Sequence, residues 1–268
     1  MSVMHYLRAF KGITGRELLR FVHQRERFIS ALVRPLMWLF IFAAGFRSTL
    51  GVAIIPPYET YILYEVYITP GLLGMVQLFN GMQSSLSMVY DREMGSMKTL
   101  LTSPLPRGYL LTCKLLAGVM VSVVQAYVFL LIAWLYGIEA PPMGYVTVLP
   151  ALVLSGLMLG ALGLLLSSFI KQLENFAGVM NFVIFPMFFL STALYPLWKI
   201  QESSVLLYRL SQYNPFTHAV ELIRFALYEQ FNPEACLVTS GSLVLFLAAA
   251  VIGYNPSKGM MQRKGGLS

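Results

Sequence analysis

Charged residues are scarce in this sequence. Only 12% of its 268 residues are Asp, Glu, Lys or Arg, whereas 57% are hydrophobic. A soluble domain carries charge at roughly a quarter of its positions. The composition therefore excludes an ordinary soluble protein and predicts a polytopic membrane protein.

Cysteine is almost absent, and several catalytic signatures are missing. Cys113 and Cys236 are expected on opposite sides of the membrane, so we predict two free thiols. There is no G-x-x-x-x-G-K-[ST], H-E-x-x-H, C-x-x-C or G-x-S-x-G motif. His218 and Glu221 stand three residues apart, but no nucleophile or metal-ligand set accompanies them. We therefore expect no catalytic residue, no metal site and no cofactor in this chain.

The net charge of +7 is best understood through its placement. No nucleic-acid-binding motif accompanies it, so it does not predict a nucleic-acid partner. Residues 5–27 alternate apolar and basic positions and predict an amphipathic helix on anionic lipid. No small-residue cleavage site closes the apolar run that follows, so we do not expect a cleavable signal.

Six apolar segments follow, each long enough to cross a bilayer. The predicted fold is therefore all-α: residues 1–27 form a helix at the cytoplasmic face, 28–254 a six-span domain, and 255–268 a short tail. The predicted spans are residues 28–46, 61–89, 109–136, 145–170, 175–194 and 235–254. Fifteen of the nineteen Lys and Arg residues then lie on one side, which predicts that both termini are cytoplasmic. Gly156, Gly160 and Gly163 in the fourth span predict close helix packing.

The segment between the fifth and sixth spans predicts two short external helices, at about 202–210 and 215–230. Asn214 is a favoured N-cap residue, and Pro215 suits the first helical position. Glu221 and Arg224 are spaced to pair on one helix face, a contact worth about 0.2–0.5 kcal/mol if exposed. The apolar faces of these helices predict burial in the outer half of the membrane, as re-entrant helices.

Two polar features have alternative interpretations. Residues 90–114 are too charged for hydrocarbon and predict a surface loop whose first half is a short helix. Such a helix is marginal by itself, so it lies either on lipid headgroups or on a soluble partner. The second span carries a polar stripe, which either lines a translocation path or packs at a helix or dimer seam. The stripe consists of Gln77, Asn80, Ser84 and Ser87.

Three segments, in the expected order and spacing, resemble ABC transmembrane type-2 permeases. The first contains Glu93, Gly95, Leu100, Leu101, Pro104 and Lys114. The second is Asn214-Pro215-Phe216-Thr217 with Glu221 and Arg224. The third and weaker one is NFVIFPMFFLSTALYPL, residues 181–197.

The resemblance implies the membrane subunit of an ABC exporter in a bacterial inner membrane. Such a subunit dimerises and couples to separate ATPase subunits, which bind ATP and Mg²⁺. The resemblance also implies that the helix at residues 5–27 brackets the ATPase subunit, which is compatible with its position on anionic lipid. The second and fifth spans of such a subunit line the path, which adds Asn181 to the stripe, and its external helices help to close an outer gate. The implied coupling residues are Asp91, Arg92, Glu93, Gly95, Met97 and Lys98. The implied gate residues are Asn214, Pro215, Glu221 and Arg224.

The expected cargo is amphipathic, lipid-like or a glycan, because no cationic or anionic site lines the polar stripe. Membrane lipid and an ABC ATPase subunit are the expected partners. Two other classes stay open on sequence alone. A membrane-embedded lipid or glycan transferase would need clustered His, Asp or Glu residues at a membrane surface, and a structural membrane subunit would not bind an ATPase.

Overall fold

Helices make up most of the structure, a computed structural model that describes residues 3–23, 25–42, 45, 55–93, 106–170 and 173–253. The second helix continues into a π-helical turn, Trp38–Phe42. In chain order the α-helices are α1 (Val3–His23), α2 (Arg25–Met37), α3 (Tyr64–Glu93), α4 (Arg107–Leu135), α5 (Gly144–Phe169), α6 (Leu173–Phe189), α7 (Leu197–Ser203), α8 (Val205–Tyr213), α9 (Pro215–Leu227) and α10 (Pro233–Gly253).

Three helices in the described ranges are long and apolar enough to cross a membrane: Gly108–Leu135, Gly144–Phe169 and Pro233–Gly253. They correspond to the third, fourth and sixth predicted spans. A shorter apolar helix, Ala31–Ile41, lies within the first predicted span. The all-helical membrane class is confirmed, whereas the count of six spans and the re-entrant position of the external helices stay predictions.

The longest helix, α3, is the centre of the fold. It packs against α4, α5, α6 and α9, and Tyr67, Ile68, Leu72 and Leu73 on it are fully buried. Its 30 residues extend about 45 Å at 1.5 Å per residue, which exceeds a hydrocarbon core of about 30 Å. The helix continues to Glu93, past the predicted end at residue 89, because charged residues are compatible with a helix end outside the hydrocarbon.

Glycines bring α3 and α5 into backbone contact. A Cβ atom on Gly81 would lie 3.0 Å from the backbone nitrogen of Gly160, and one on Gly163 would lie 2.7 Å from the carbonyl oxygen of Gly81. Only a residue without a side chain permits this approach. The close packing predicted for Gly160 and Gly163 is therefore confirmed.

The last helix, α10, lies at the edge of the bundle. Its buried residues are Ala235, Thr239 and Ala250, whereas Leu237 and Ile252 are 73% and 81% exposed. An apolar surface of this kind suits lipid hydrocarbon. Cys236 on α10 and Cys113 on α4 are both free thiols, as predicted.

The helix boundaries differ from the predicted ones in two regions, the N-terminus and the segment between α6 and α10. The N-terminal helix ends at His23, and α2 begins at Arg25, so the last basic residues of the predicted helix belong to α2. The external segment forms three helices rather than two. Ser204 is extended (φ −165°) and its hydroxyl accepts a hydrogen bond from the Leu207 amide at 3.4 Å. It therefore ends α7 and caps α8 at a point inside the predicted helix 202–210.

Candidate functional site

The polar stripe on α3 begins with Gln77, which is 1% exposed. Its Nε2 donates to the Leu152 carbonyl at 2.7 Å, and its Oε1 accepts from the Ser155 hydroxyl at 2.6 Å. Both partners are on α5. The Gln77 amide is therefore hydrogen-bonded inside the subunit rather than open to a central path.

One turn further along α3, Asn80 makes the matching contact with α4. Its Nδ2 donates to the Gln125 Oε1 at 2.6 Å. Ser84 is partly buried, the side chain of Ser87 lies outside the described residues, and Asn181 is exposed on α6. The structure thus joins Gln77 and Asn80 in a polar seam between α3, α4 and α5, and it places Asn181 apart from them. Their role in a path stays a prediction.

A cavity of about 20 Å³ lies beside this seam. Gln77, Ser84, Ser122 and the buried Lys114 contribute polar groups to its wall. Since a single water needs about 10–15 Å³ of such space, the cavity is of water size and is too small for an organic cargo.

The external helix α9 is fixed at its start by Asn214. The Asn214 Oδ1 accepts from the Phe216 amide at 3.0 Å, and Pro215 occupies the first turn. The predicted N-cap is confirmed. The same side chain donates through Nδ2 to the carbonyls of Leu190 and Met187, at 2.5 and 2.7 Å, at the end of α6. One amide therefore joins the ends of α6 and α9.

At the other end of α9, Arg224 is 2% exposed, so the value of about 0.2–0.5 kcal/mol for an exposed pair does not apply to Glu221 and Arg224. Arg224 Nη1 bonds the Glu221 carboxylate, and Nη2 donates to the Thr192 carbonyl at 2.7 Å. The guanidinium lies 4.1 Å from the centre of the Tyr67 ring, a cation–π contact. Burial disfavours the charge, but the Glu221 carboxylate and nearby tyrosines outweigh it and raise the pKa of Arg224 above its ordinary value.

Two tyrosines complete this cluster, and sequence reasoning did not identify them. The Tyr67 hydroxyl donates to the Thr192 carbonyl at 3.0 Å, the same oxygen that Arg224 contacts. Tyr58 packs edge-on against Tyr228 with ring centres 4.7 Å apart. Burial raises the pKa of Tyr58 well above its ordinary value, although the Arg224 charge opposes this. The cluster therefore holds neutral tyrosines around one buried ion pair at ordinary pH.

Close contacts also hold the end of α9 against α5, and the residues after α9 against the segment that precedes α3. The Thr147 hydroxyl donates to the Ala226 carbonyl at 2.6 Å, and Gln230 Nε2 donates to the Pro57 carbonyl at 3.1 Å. A Cβ atom on Gly144 would lie only 1.9 Å from the Leu227 carbonyl oxygen. Polar contacts therefore hold both ends of the helix that is predicted to close a gate.

The predicted coupling residues are only partly within the described ranges. The backbone of Asp91, Arg92 and Glu93 forms the end of α3, and Gly95, Met97 and Lys98 lie outside the described residues. The helix α1 packs against α4: the Tyr109 hydroxyl, at the start of α4, donates to the Tyr6 carbonyl at 2.6 Å.

The chain is similar to known transport proteins. A family model described as ABC-2 type transporter matches residues 8–228. The chain is 29% identical over 203 residues to the putative transport permease ycf38 of Cyanophora paradoxa, covering 74% of this chain and 66% of that protein. It is 30% identical over 171 residues to the probable multidrug ABC transporter permease YbhR of Escherichia coli strain K12, covering 62% of this chain and 45% of that protein. The matches therefore span just under two thirds of the first protein and under half of the second.

Proposed function

Because this chain belongs to the ABC-2 type transporter family, we propose that it is the membrane-spanning permease subunit of an ATP-driven exporter. The observation that carries the proposal is the family match over residues 8–228, which includes both the segment at 90–114 and the external helices. The chain is a membrane transport subunit rather than a catalyst. We further propose that transport is directed outward and that it is coupled to ATP hydrolysis.

Coupling to a separate ATPase subunit is assigned to the segment at 90–114. In this proposal Asp91, Arg92 and Glu93 form the rim of a docking surface, and Gly95, Met97 and Lys98 continue it. Charges at a rim set orientation more than affinity, and methionine adapts to an irregular groove. The Tyr109–Tyr6 contact supports a second contribution, from α1, because it joins α1 to the start of α4, which follows this segment in the chain.

The proposed assembly has two copies of this six-span subunit in a bacterial inner membrane, with all termini cytoplasmic. Asn181 supports the second copy. It is exposed on α6, next to Phe182 and one helical turn before Phe185, which are also exposed. A polar amide at membrane depth must face protein or water. A second copy or a path between two copies would supply that partner.

The proposed cargo is amphipathic, lipid-like or a glycan. The side-chain amides of Gln77 and Asn80 are already hydrogen-bonded between helices, so these two groups are not available to a strongly polar substrate. The name of YbhR, a probable multidrug permease, fits an amphipathic cargo. The external helix α9 would close the outer end of the route.

Co-purification with an ABC ATPase subunit, followed by an ATP hydrolysis assay in lipid nanodiscs, tests this proposal. We expect Glu93→Arg to leave the chain inserted and folded but to abolish stimulation of hydrolysis and transport. Glu139→Arg, an exposed residue in the turn between α4 and α5, is the matched control. Unchanged stimulation and transport in Glu93→Arg would contradict the coupling assignment, and absence of an ATPase partner for the native chain would contradict the exporter assignment.

A further inference from the structure

A single buried arginine connects three separate parts of the outer half of this protein. Arg224 belongs to α9, its guanidinium lies against Tyr67 of α3, and its Nη2 donates to Thr192 in the turn after α6. Tyr67 donates to the same Thr192 carbonyl. Two donors from different helices therefore share one acceptor, and displacement of any one of the three elements breaks a contact with the others.

We propose that Arg224, Tyr67 and the Thr192 carbonyl form a latch that keeps α9 closed on α3 and on the turn after α6, and that its release is a step of outward opening. The opening step rests on the proposed exporter function. The existence of the latch does not depend on that function, because all of its contacts lie within this chain. Tyr67 is the member that neither the motifs nor the family match identifies, and we assign it a positioning role.

An ion pair is better suited to a contact that opens during function than to one that stays permanently packed. Burying an ion pair is costly, and well-packed apolar side chains of similar size often stabilise a fold equally well or better. A permanently closed interface would therefore need no charge here. Glu221 is 19% exposed, whereas Arg224 is 2% exposed, so the carboxylate already lies at the edge of the cluster, where water can receive it when α9 moves.

Two buried polar atoms show that the closed arrangement is incompletely satisfied. Arg224 Nε and Tyr58 Oη have no hydrogen-bond partner among the described residues. Buried donors without partners weaken the state that contains them. In a second position of α9, water could bond these donors and remove the free-energy cost of burying them. The free-energy difference between the closed and open states is therefore small enough for both to be populated.

Hydrogen–deuterium exchange of the α9 amides tests the latch on the full chain in lipid nanodiscs, without nucleotide. The variant is Tyr67→Phe, which removes only the hydroxyl that bonds Thr192. Its matched control is Tyr127→Phe, because the Tyr127 hydroxyl likewise donates to a backbone carbonyl, that of Tyr145 at 2.6 Å, between α4 and α5. We expect exchange at residues 215–227 to rise about fivefold in Tyr67→Phe, the effect of losing one hydrogen bond of about 1 kcal/mol from a local equilibrium. Tyr127→Phe should leave this exchange unchanged.

Global unfolding separates a latch from a merely structural contact. Both variants lose one tyrosine–carbonyl bond, so their thermal midpoints should shift by similar small amounts. Faster α9 exchange in both variants alike, or in neither, would overturn the latch. Arg224→Lys keeps the charge but loses the planar two-sided contact, and it should raise α9 exchange more than Tyr67→Phe does.

The opening step is tested with the ATPase partner bound. During ATP turnover, α9 exchange of the native chain should rise towards the level that Tyr67→Phe shows without nucleotide. Equal exchange with and without turnover in a complex that hydrolyses ATP would overturn release as a step of the cycle. A chain that binds no ATPase would refute the exporter assignment, and the nucleotide-free comparison of Tyr67→Phe with Tyr127→Phe would still decide whether the latch exists.

Discussion

Gly71 offers a sharp test of the outer packing, because the same substitution should have opposite effects at two helix positions. Gly71 lies on α3, one turn after Tyr67. A Cβ atom there would be 2.2 Å from the Ala193 carbonyl oxygen and 2.6 Å from its Cα atom. The obstacle is backbone, so a rotamer change cannot relieve it. Gly71→Ala must push the turn after α6 away from α3.

The expected cost follows from two opposing contributions. Overpacking a well-packed region costs about 1–3 kcal/mol, occasionally more. Glycine in a helix interior is less favourable than alanine by about 1 kcal/mol, which Gly71→Ala recovers. Since the clash with a whole peptide unit lies at the upper end of the first range, we expect a net loss of about 2 kcal/mol. That corresponds to a thermal midpoint roughly 4–8 °C lower for a chain of this size.

The matched control is Gly241→Ala on α10, where a Cβ atom meets nothing within 4 Å. There the helix-propensity term acts alone and should stabilise the chain by about 0.5–1 kcal/mol. Thermal unfolding of both variants in the same detergent measures the difference. A midpoint for Gly71→Ala at or above that of the native chain would refute the close approach of α3 to Ala193, and with it the geometry on which the latch depends.

Three further predictions concern charge, topology and the polar seam. Glu221→Gln leaves Arg224 buried without its counter-charge and should lower the free energy of unfolding by about 3 kcal/mol. Arg224→Met removes the charge from the buried site and should lower it less. Equal decreases in the two variants would contradict an ion pair with a buried arginine. An impermeant thiol reagent added to intact cells should label Lys199→Cys but not Lys98→Cys, since the lysine and arginine bias places residue 98 inside; labelling of residue 98 would reverse the topology. Asn80→Leu should destabilise the chain by about 1–3 kcal/mol, because Gln125 loses its buried partner. Asn181→Leu should preserve the stability of the subunit and weaken dimerisation or transport. A loss of stability in Asn181→Leu but not in Asn80→Leu would contradict both assignments.

The helices that could be predicted from sequence are those with a strong local signal. The apolar runs at 109–136, 145–170 and 235–254 need no tertiary information, and the structure contains a helix at each. The Asn214-Pro215 start of α9 is equally local, because capping depends on residues adjacent in the chain. Boundaries were less accurate where two helices follow each other directly, as at Ser204, since the apolar pattern continues across the break.

The cluster around Arg224 and Tyr67 could not be predicted, because its central acceptor is a backbone carbonyl, which every residue has. Arg224 and Tyr67 meet at a backbone carbonyl, and any residue could supply that group at position 192. Tyr67 also stands within an apolar run, where a tyrosine is ordinarily a packing residue. The partners of the polar stripe, Ser155 and Gln125, lie on other helices at separations of 78 and 45 residues. Only the fold brings them together.

The double contact of Asn214 has a consequence for which residues that position can accept. Asp, Ser and Thr cap helices about as well as Asn, so capping of α9 alone would allow all four. The carbonyls of Met187 and Leu190, however, need donors. An ionised aspartate has none, and a hydroxyl has a single hydrogen and a shorter reach. Only a side chain that donates twice while it accepts once can keep the end of α6 joined to the start of α9, so Asn214→Asp would preserve the cap yet separate the two helices.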